Sequence, residues 1–189
     1  MCPRFSYDEL QMIPYTWRHD VSSFESVSSE LNGFLKEDAL KNQEELISKT
    51  YLCCRSNQLG GYVTFTTDII RKKDVQEEEQ IEIPYKEYPA IKSARLAVDK
   101  KYERRGVGRF LLLAAVGKAL KISNEVGCRF ITVESKRDSI EFYEKSGGFK
   151  LIKGYEKRNY PIMYFDVLPR IKEMKAINMR LEDFPLRKD

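Results

Sequence analysis

The chain has one histidine, His19, and only four cysteines, Cys2, Cys53, Cys54 and Cys128, in 189 residues. A lone imidazole and cysteines without metal-ligand spacing leave no zinc site, and the same spacing offers no disulfide framework. Cys53, Cys54 and Cys128 are expected as small buried hydrophobes and not as thiol nucleophiles. A dyad or triad would have to be built around the single ring of His19. Long apolar runs are also missing: the longest, Phe110 to Val116, is broken by Gly117 and Lys118, well short of the roughly 18 residues that span a bilayer. The opening Met1-Cys2-Pro3-Arg4 leads into polar and acidic residues and not into the apolar core of a secretory signal. A cytoplasmic protein with no membrane partner is expected. Internal repeats and Gly/Ser-rich or Pro-rich linkers are absent as well, so residues 1–189 are expected to form a single domain.

What is present fits a globular chain, with 42% hydrophobic residues. The net charge of +4, from 33 basic and 29 acidic residues, favours anionic partners only slightly. Its distribution is more informative. Acid is concentrated in DVQEEEQIEI, residues 74–83, whereas base recurs in KKYERRGVGR, at Arg129, at Lys136-Arg137 and in KGYEKR. The second half is the electropositive one.

Periodicity predicts a first strand within Glu9 to Arg18, interrupted by Pro14. Leu31, Phe34, Leu35, Ala39 and Leu40 recur at helical spacing behind Ser28 and Ser29, predicting one or two helices over Ser29 to Ser48. TYLCCRS and LGGYVTFTT flank Ser56-Asn57-Gln58 as a hairpin. Residues 71–89 are polar and punctuated by proline, an expected exposed excursion. IKSARLAVD follows as a strand, with Ala94, Leu96 and Val98 assigned to one face and Lys92, Arg95 and Ala97 to the other. Arg109 to Val126 is helical, with Leu112, Val116, Ala119 and Leu120 in one apolar stripe and Gly127 as its stop. RFITVES, DSIEFYEKS, FKLI and PIMYFDVL continue as strand, helix, strand, strand before a charged tail, KEMKAINMRLEDFPLRKD. Strands alternating with helices indicate a mixed α/β domain.

Between the strand and the long helix stand Gly106 and Gly108 among Arg104, Arg105 and Arg109. A strand that turns through glycine into a helix gathers unpaired backbone N–H groups at the positive end of the helix dipole, a place suited to phosphate. The arginines add charge-assisted donors. Two common phosphate binders do not fit. A Gly-x4-Gly-Lys-Ser/Thr loop is missing, because Gly117-Lys118 lies inside the helix and is followed by Ala119. A dinucleotide fold needs a third glycine where Leu111 stands.

RLAVDKKYERRGVGRFLLLAAV, then FITVES, then SIEFYEKSGGFKLI, resembles the GNAT acetyltransferases over about Ile91 to Ile152. The resemblance implies a mixed, mostly antiparallel central sheet flanked by helices, with a splayed pair of parallel strands holding acetyl-CoA and no metal. It implies that Leu96, Ala97 and Val98 meet the acetyl and pantetheine end through their backbone. It implies further that Arg104, Arg105, Gly106, Val107, Gly108 and Arg109 hold the pyrophosphate. Three departures stand out: Glu103 replaces the usual Gln or Arg, SKRDS lacks the frequent Asn, and SGGF has one extra glycine. Upstream, SSELNGFLKEDALKN, LGGYVTF and YPAIKSARLAVD are similar to the GNAT toxins of toxin-antitoxin pairs, which acetylate the amino group of aminoacyl-tRNA.

Acetyl transfer needs a neutral amine, donors for the carbonyl oxygen and a proton for the departing thiolate. Tyr143 is the candidate acid, since a phenol of ordinary pKa about 10 is protonated at neutral pH and can supply a thiolate whose conjugate acid lies near 8.5. No carboxylate lies within Ala94 to Val98, so no base is evident there, and Glu134 on the next strand is a further candidate. A lysine amine with pKa about 10.4 needs strong deprotonation, whereas an α-amine near 7.7–8.0 is partly neutral already. Together with the resemblance to the GNAT toxins, this makes aminoacyl-tRNA the leading acceptor, with protein, peptide or small amines as the alternative and a catalytically silent CoA-binding or nucleic-acid-binding module as a third. Lys136, Arg137, Lys153, Lys157 and Arg158 then read either as a groove for tRNA phosphates or as a solvated face. A small antitoxin protein is an expected partner, and the tail can cover an apolar face, join a homodimer or stay mobile.

Overall fold

A computed structural model describes residues 4–80 and 84–176. Seven strands form one sheet in the order β1-β2-β3-β4-β5-β7-β6: β1 Gln11–Pro14, β2 Lys49–Arg55, β3 Gln58–Arg71, β4 Glu87–Val98, β5 Phe130–Glu134, β6 Lys150–Leu151 and β7 Ile162–Asp166. The β1–β2, β2–β3, β5–β7 and β6–β7 pairs are antiparallel, and β4–β5 is parallel. The helices are α1 Ser29–Gly33, α2 Ala39–Glu44, α3 Val107–Ile122, α4 Ile140–Gly147 and α5 Val167–Ala176. This is the mixed, mostly antiparallel sheet with flanking helices that the sequence predicts. The described residues cluster into two compact units, one holding residues up to Thr66 with Ala94–Ala114, the other Thr67–Ser93 and the residues from Ala115 onward.

In the first unit, Pro14 ends β1, which pairs only with β2, as a residue without an N–H requires. Ser56 and Asn57 both have positive φ (46° and 65°) and join β2 to β3 across the Arg55–Gln58 pair, the two-residue turn whose twist suits a hairpin. The register shifts where Cys53 faces Gly61 and Cys54 faces Leu59, leaving Gly60 as the extra residue of a bulge. Ser28 caps α1 by accepting from Leu31 N at 3.4 Å. Between α1 and α2 the chain widens into one π-helical segment, Phe34–Asp38. Its buried Leu35 and Ala39, the first residue of α2, pack with Tyr15, Phe24, Leu52 and Tyr62. Tyr62 is fully buried, and its hydroxyl donates to the Leu31 carbonyl at 2.8 Å, so its polar end is satisfied.

The second unit corrects one expectation. Within residues 71–89, β3 runs on to Arg71 and β4 begins at Glu87; most of the described residues are exposed or half-buried as expected, but Val75 and Tyr88 are anchored in the core. Val75 is fully buried beside Tyr88, Phe130 and Tyr164. Lys153 N donates to the Asp74 carbonyl (2.9 Å), Gln76 N to the Tyr164 hydroxyl (3.0 Å), and that hydroxyl in turn to Glu79 Oε2 (2.5 Å). Lys150 pairs with Glu79 and Lys153 with Glu77. The acidic run is thus neutralised in part by bases that lie about 75 residues later in the chain, a long-range pairing that composition cannot reveal.

Two further differences are local. Helix α3 is buried on most sides, not along one stripe, with Val107, Phe110, Leu111, Leu112, Ala115, Val116 and Ala119 all nearly inaccessible. The last strand stops at Asp166 and the next residues are helical; Asp166 accepts from Leu168 N at 2.9 Å, the short polar bridge that starts a helix. Only Lys172–Ala176 of the expected tail fall among the described residues.

Candidate functional site

In the first unit, the segment after β4 is a turn held mostly by backbone. Asp99, 3% exposed, accepts from Lys101 N (2.9 Å) and from Glu25 N (3.0 Å), while Lys100 N donates to the Glu25 carbonyl (2.8 Å). Asp99 N donates to Gly60 O at 2.9 Å, so the bulge of β3 accepts the first amide beyond β4. Arg104 then adopts φ +57° and Gly106 φ +96°. The left-handed region is easy for glycine and costly for other residues, so the strain at Arg104 marks a turn imposed by its surroundings. Phe5 N donates to the Arg105 carbonyl at 2.9 Å, and the Arg105 guanidinium lies 3.9 Å over the Phe5 ring.

The ladder of α3 begins with Phe110 N donating to the Gly106 carbonyl at 2.9 Å. The amides of Val107, Gly108 and Arg109 precede it, in the turn where a helix leaves its N–H groups without intrahelical partners. Gly108 itself is helical and needs no special backbone conformation, so the left-handed glycine of the pair is Gly106. Val107 is buried and anchors the helix start, whereas Arg104 and Arg109 are exposed. An anion at this place would meet backbone donors, the positive end of a sixteen-residue helix and two exposed guanidinium groups. On β4, Ala97 is buried while Leu96 and Val98 are half-buried. Strict alternation puts Lys92 on the Ala94 side, not with Ala97. The β4–β5 ladder covers Ala90–Ser93 against Phe130–Val133 and ends there.

In the second unit, Tyr143 lies on α4, its ring packed against Phe142 (5.2 Å between centroids) and Phe149 (5.9 Å). Gly148 caps α4 with φ +70°, and Phe149 N returns to the Tyr143 carbonyl at 3.3 Å. Of the two glycines in SGGF, Gly147 is the last helical residue and Gly148 makes the turn. Removal from water pushes the Tyr143 phenol up to about 12, so it stays a donor throughout the neutral range.

The same unit contains a cavity of about 190 Å3 whose lining includes Asp68, Arg71, Lys92, Thr132, Glu134 and Arg158. Lys92 Nζ pairs with Glu134 Oε1 at 2.5 Å, and Arg71 with Asp74 at 2.8 Å. The buried hydroxyl of Thr132 donates to Asp68 Oδ2, and Ile69 N to Asp68 Oδ1 at 2.9 Å. Arg137 donates to the carbonyls of Glu156 and Arg158, both at 2.9 Å, and so pins the turn that carries Arg158. Sequence patterns single out Glu134 and Arg158 but pass over Asp68 and Thr132, which lie 64 residues apart and carry no motif.

The remaining nucleophiles among the described residues, which do not include Cys2, are quiet. Cys53 and Cys128 are buried and Cys54 half-buried; burial pushes Cys53 up to about 12 and raises the other two, which leaves little thiolate to react. His19 Nδ1 bonds within its own turn to Thr16. Among the described residues no group of His, Cys, Asp and Glu could hold a metal ion, and no helix is long and apolar enough to cross a membrane.

Residues 49–150 match the family model described as an acetyltransferase (GNAT) domain. The chain is 30% identical over 119 residues to a tRNA-acetylating toxin of Mycobacterium tuberculosis, covering 63% of this chain and 71% of that protein. Its fold is similar to AtaTR bound with acetyl-CoA (TM-score 0.71, 25% identity, 91% of this chain and 99% of that one). It is also similar to AtaT complexed with acetyl-methionyl-tRNAfMet (TM-score 0.77, 23% identity, 90% of this chain and 99% of that one).

Proposed function

The chain belongs to the GNAT acetyltransferases, the family whose model spans more than half of it, and from that premise we propose that it moves acetyl from acetyl-CoA to the α-amine of aminoacyl-tRNA. The observation that carries the acceptor is the 30% identity to a tRNA-acetylating toxin. The chemistry agrees with it: Ala94 to Val98 present no carboxylate, and an α-amine of pKa about 7.7–8.0 needs far less base assistance than a lysine.

In this reading the whole chain serves one activity, and the residues of the loop fit a pyrophosphate because Gly106 is already left-handed and the first amides of α3 precede its ladder. Val107, Gly108 and Arg109 offer their amides, Arg104 and Arg109 add charge, and Arg105 props the loop on Phe5. Leu96, Ala97 and Val98 lie beyond the end of the β4–β5 ladder, and their backbone donors would face the thioester oxygen. Acetyl-CoA supplies the activated acyl group. Tyr143, kept neutral by desolvation, gives its proton to the departing sulfur, and the proton that the acylated nitrogen releases to solvent restores the phenol. Lys136, Lys157 and Arg158, which have no ion-pair partner among the described residues, are the bases available to the tRNA backbone.

A cytoplasmic setting and a small antitoxin protein as partner belong to the same reading, which rests on the toxin resemblance. Incubation with labelled acetyl-CoA and either charged tRNA or a panel of polyamines and peptides tests it. Label should enter the aminoacyl ester; label confined to the panel would exclude tRNA as acceptor, and thioester consumption unchanged by Tyr143→Phe would point to a silent binding module.

A further inference from the structure

The cavity of the second unit carries two unspent charges of opposite sign. Of its carboxylates, Glu134 and Asp74 are each paired with a cation of the same wall, Lys92 and Arg71. Asp68 is not. Both of its oxygens are oriented, one by the Thr132 hydroxyl and one by Ile69 N, yet both donors are neutral and no cation pairs with it among the described residues. A half-buried carboxylate held in one orientation by two neutral donors keeps lone pairs free for a further N–H donor. Glu87, also in the lining, is exposed, and solvent compensates its charge.

Arg158 is the complementary case. Its side chain has no ion-pair partner among the described residues, while its backbone is fixed by the two bonds from Arg137 and by Arg158 N donating to the Tyr155 carbonyl at 3.0 Å. A guanidinium on a rigid turn is suited to a planar or tetrahedral oxyanion. The cavity volume of about 190 Å3 accommodates a group of amino-acid size and not a nucleotide in full.

We propose that this cavity receives the acceptor, with Asp68 accepting a hydrogen bond from the α-amine of the aminoacyl moiety and Arg158 holding an anionic group beside it, the terminal phosphate in a charged tRNA. This assignment rests on the aminoacyl-tRNA reading above for the identity of the anion. Asp68 and Arg158 bind and orient; neither takes part in bond-making.

The test is equilibrium binding by calorimetry to CoA-loaded protein. The probes are an amide-linked 3′-aminoacylamino-adenosine 5′-phosphate, the same nucleoside without phosphate, and its N-acetylated form. Wild type should bind the phosphorylated amine at least tenfold more tightly than either comparison compound. Asp68→Asn should weaken both free amines about tenfold and leave the N-acetyl compound unchanged, whereas Arg158→Gln should abolish only the preference for phosphate. Thermal melting of both variants checks that they fold, and Asp68→Glu should restore part of the amine affinity. Variants that bind the probes within twofold of wild type would overturn the assignment, even if charged tRNA is acetylated. If the variants behave as expected but acetyl enters only polyamines or peptides, the cavity assignment stands and the tRNA reading fails.

Discussion

Residues 99–109 of the first unit, from the end of β4 into the first turn of α3, and residues 68–80 of the second, from the last residues of β3 onward, are both rich in charge, but different forces hold them. The first is built mostly from backbone: Asp99 N bonds to Gly60 O, Lys100 N to Glu25 O and Phe5 N to Arg105 O, Gly106 turns at φ +96°, and one buried side chain, the Asp99 carboxylate, accepts two further amides. The second is built from side chains, with Tyr164, Lys150 and Lys153 clasping Glu79 and Glu77 and with Thr132 clasping Asp68. Backbone links survive most substitutions and are insensitive to salt. Exposed ion pairs are individually weak, about 0–1 kcal/mol each, and are screened at high ionic strength.

The largest effect expected is chemical. Tyr143→Phe removes one hydroxyl and should lower kcat about 10²- to 10⁴-fold, the usual contribution of a general acid, with the acetyl-CoA affinity within twofold in a binding assay. The same phenol predicts a pH profile. Its pKa is raised to about 12, so the protonated donor persists upward and is lost only as pH rises through that value; kcat should rise as the amine deprotonates and then hold to about pH 10.5, where an ordinary phenol near 10 would already fail. A descending limb centred near pH 10 that vanishes in Tyr143→Phe would contradict this.

Next in size, Gly106→Val forces a branched residue into the left-handed region at a cost of about 1–3 kcal/mol. The melting temperature should fall and the acetyl-CoA Kd rise at least tenfold. Gly61→Ala sharpens the contrast further, because a Cβ there would stand 2.7 Å from the Ala97 carbonyl and 3.0 Å from Leu111. Neither backbone nor core can yield freely, so urea unfolding should show a loss of about 1–3 kcal/mol. The smallest change belongs to the second region: Glu77→Gln breaks a pair in which Glu77 is largely exposed, and stability should move by less than about 0.5 kcal/mol. A larger loss would mean that the clasp acts as a network and that the two regions are less different than their bonds imply.

Much of the backbone-built region was legible in advance. Glycine before a helix, arginines beside it and a strand ahead of it are local signals, and the hairpin at Ser56-Asn57 and the cap at Ser28 are local in the same sense. The helical stretch expected over Ser29 to Ser48 ends at Glu44 and was not legible as one with a π turn at Phe34–Asp38, because that widening answers to the packing of Leu35 and Tyr62 and not to propensity. Among the largely exposed described residues of 71–89, the anchoring of Val75 and Tyr88 was not legible, because it depends on Phe130, Tyr164, Lys150 and Lys153, supplied from far along the chain. Asp68 and Thr132 were invisible for the same reason: an aspartate in one strand and a threonine in another carry no pattern until the sheet brings them together.

The sequence by itself determined the family and the order of strands and helices, because hydrophobic period, glycine placement and residue chemistry all act within a few residues of one another. Which charges are spent and which remain available was decided only by the tertiary structure. Compensation of a charge depends on distance through space, and the partners that neutralise Glu79 and Glu134, or orient Asp68, lie tens of residues away along the chain.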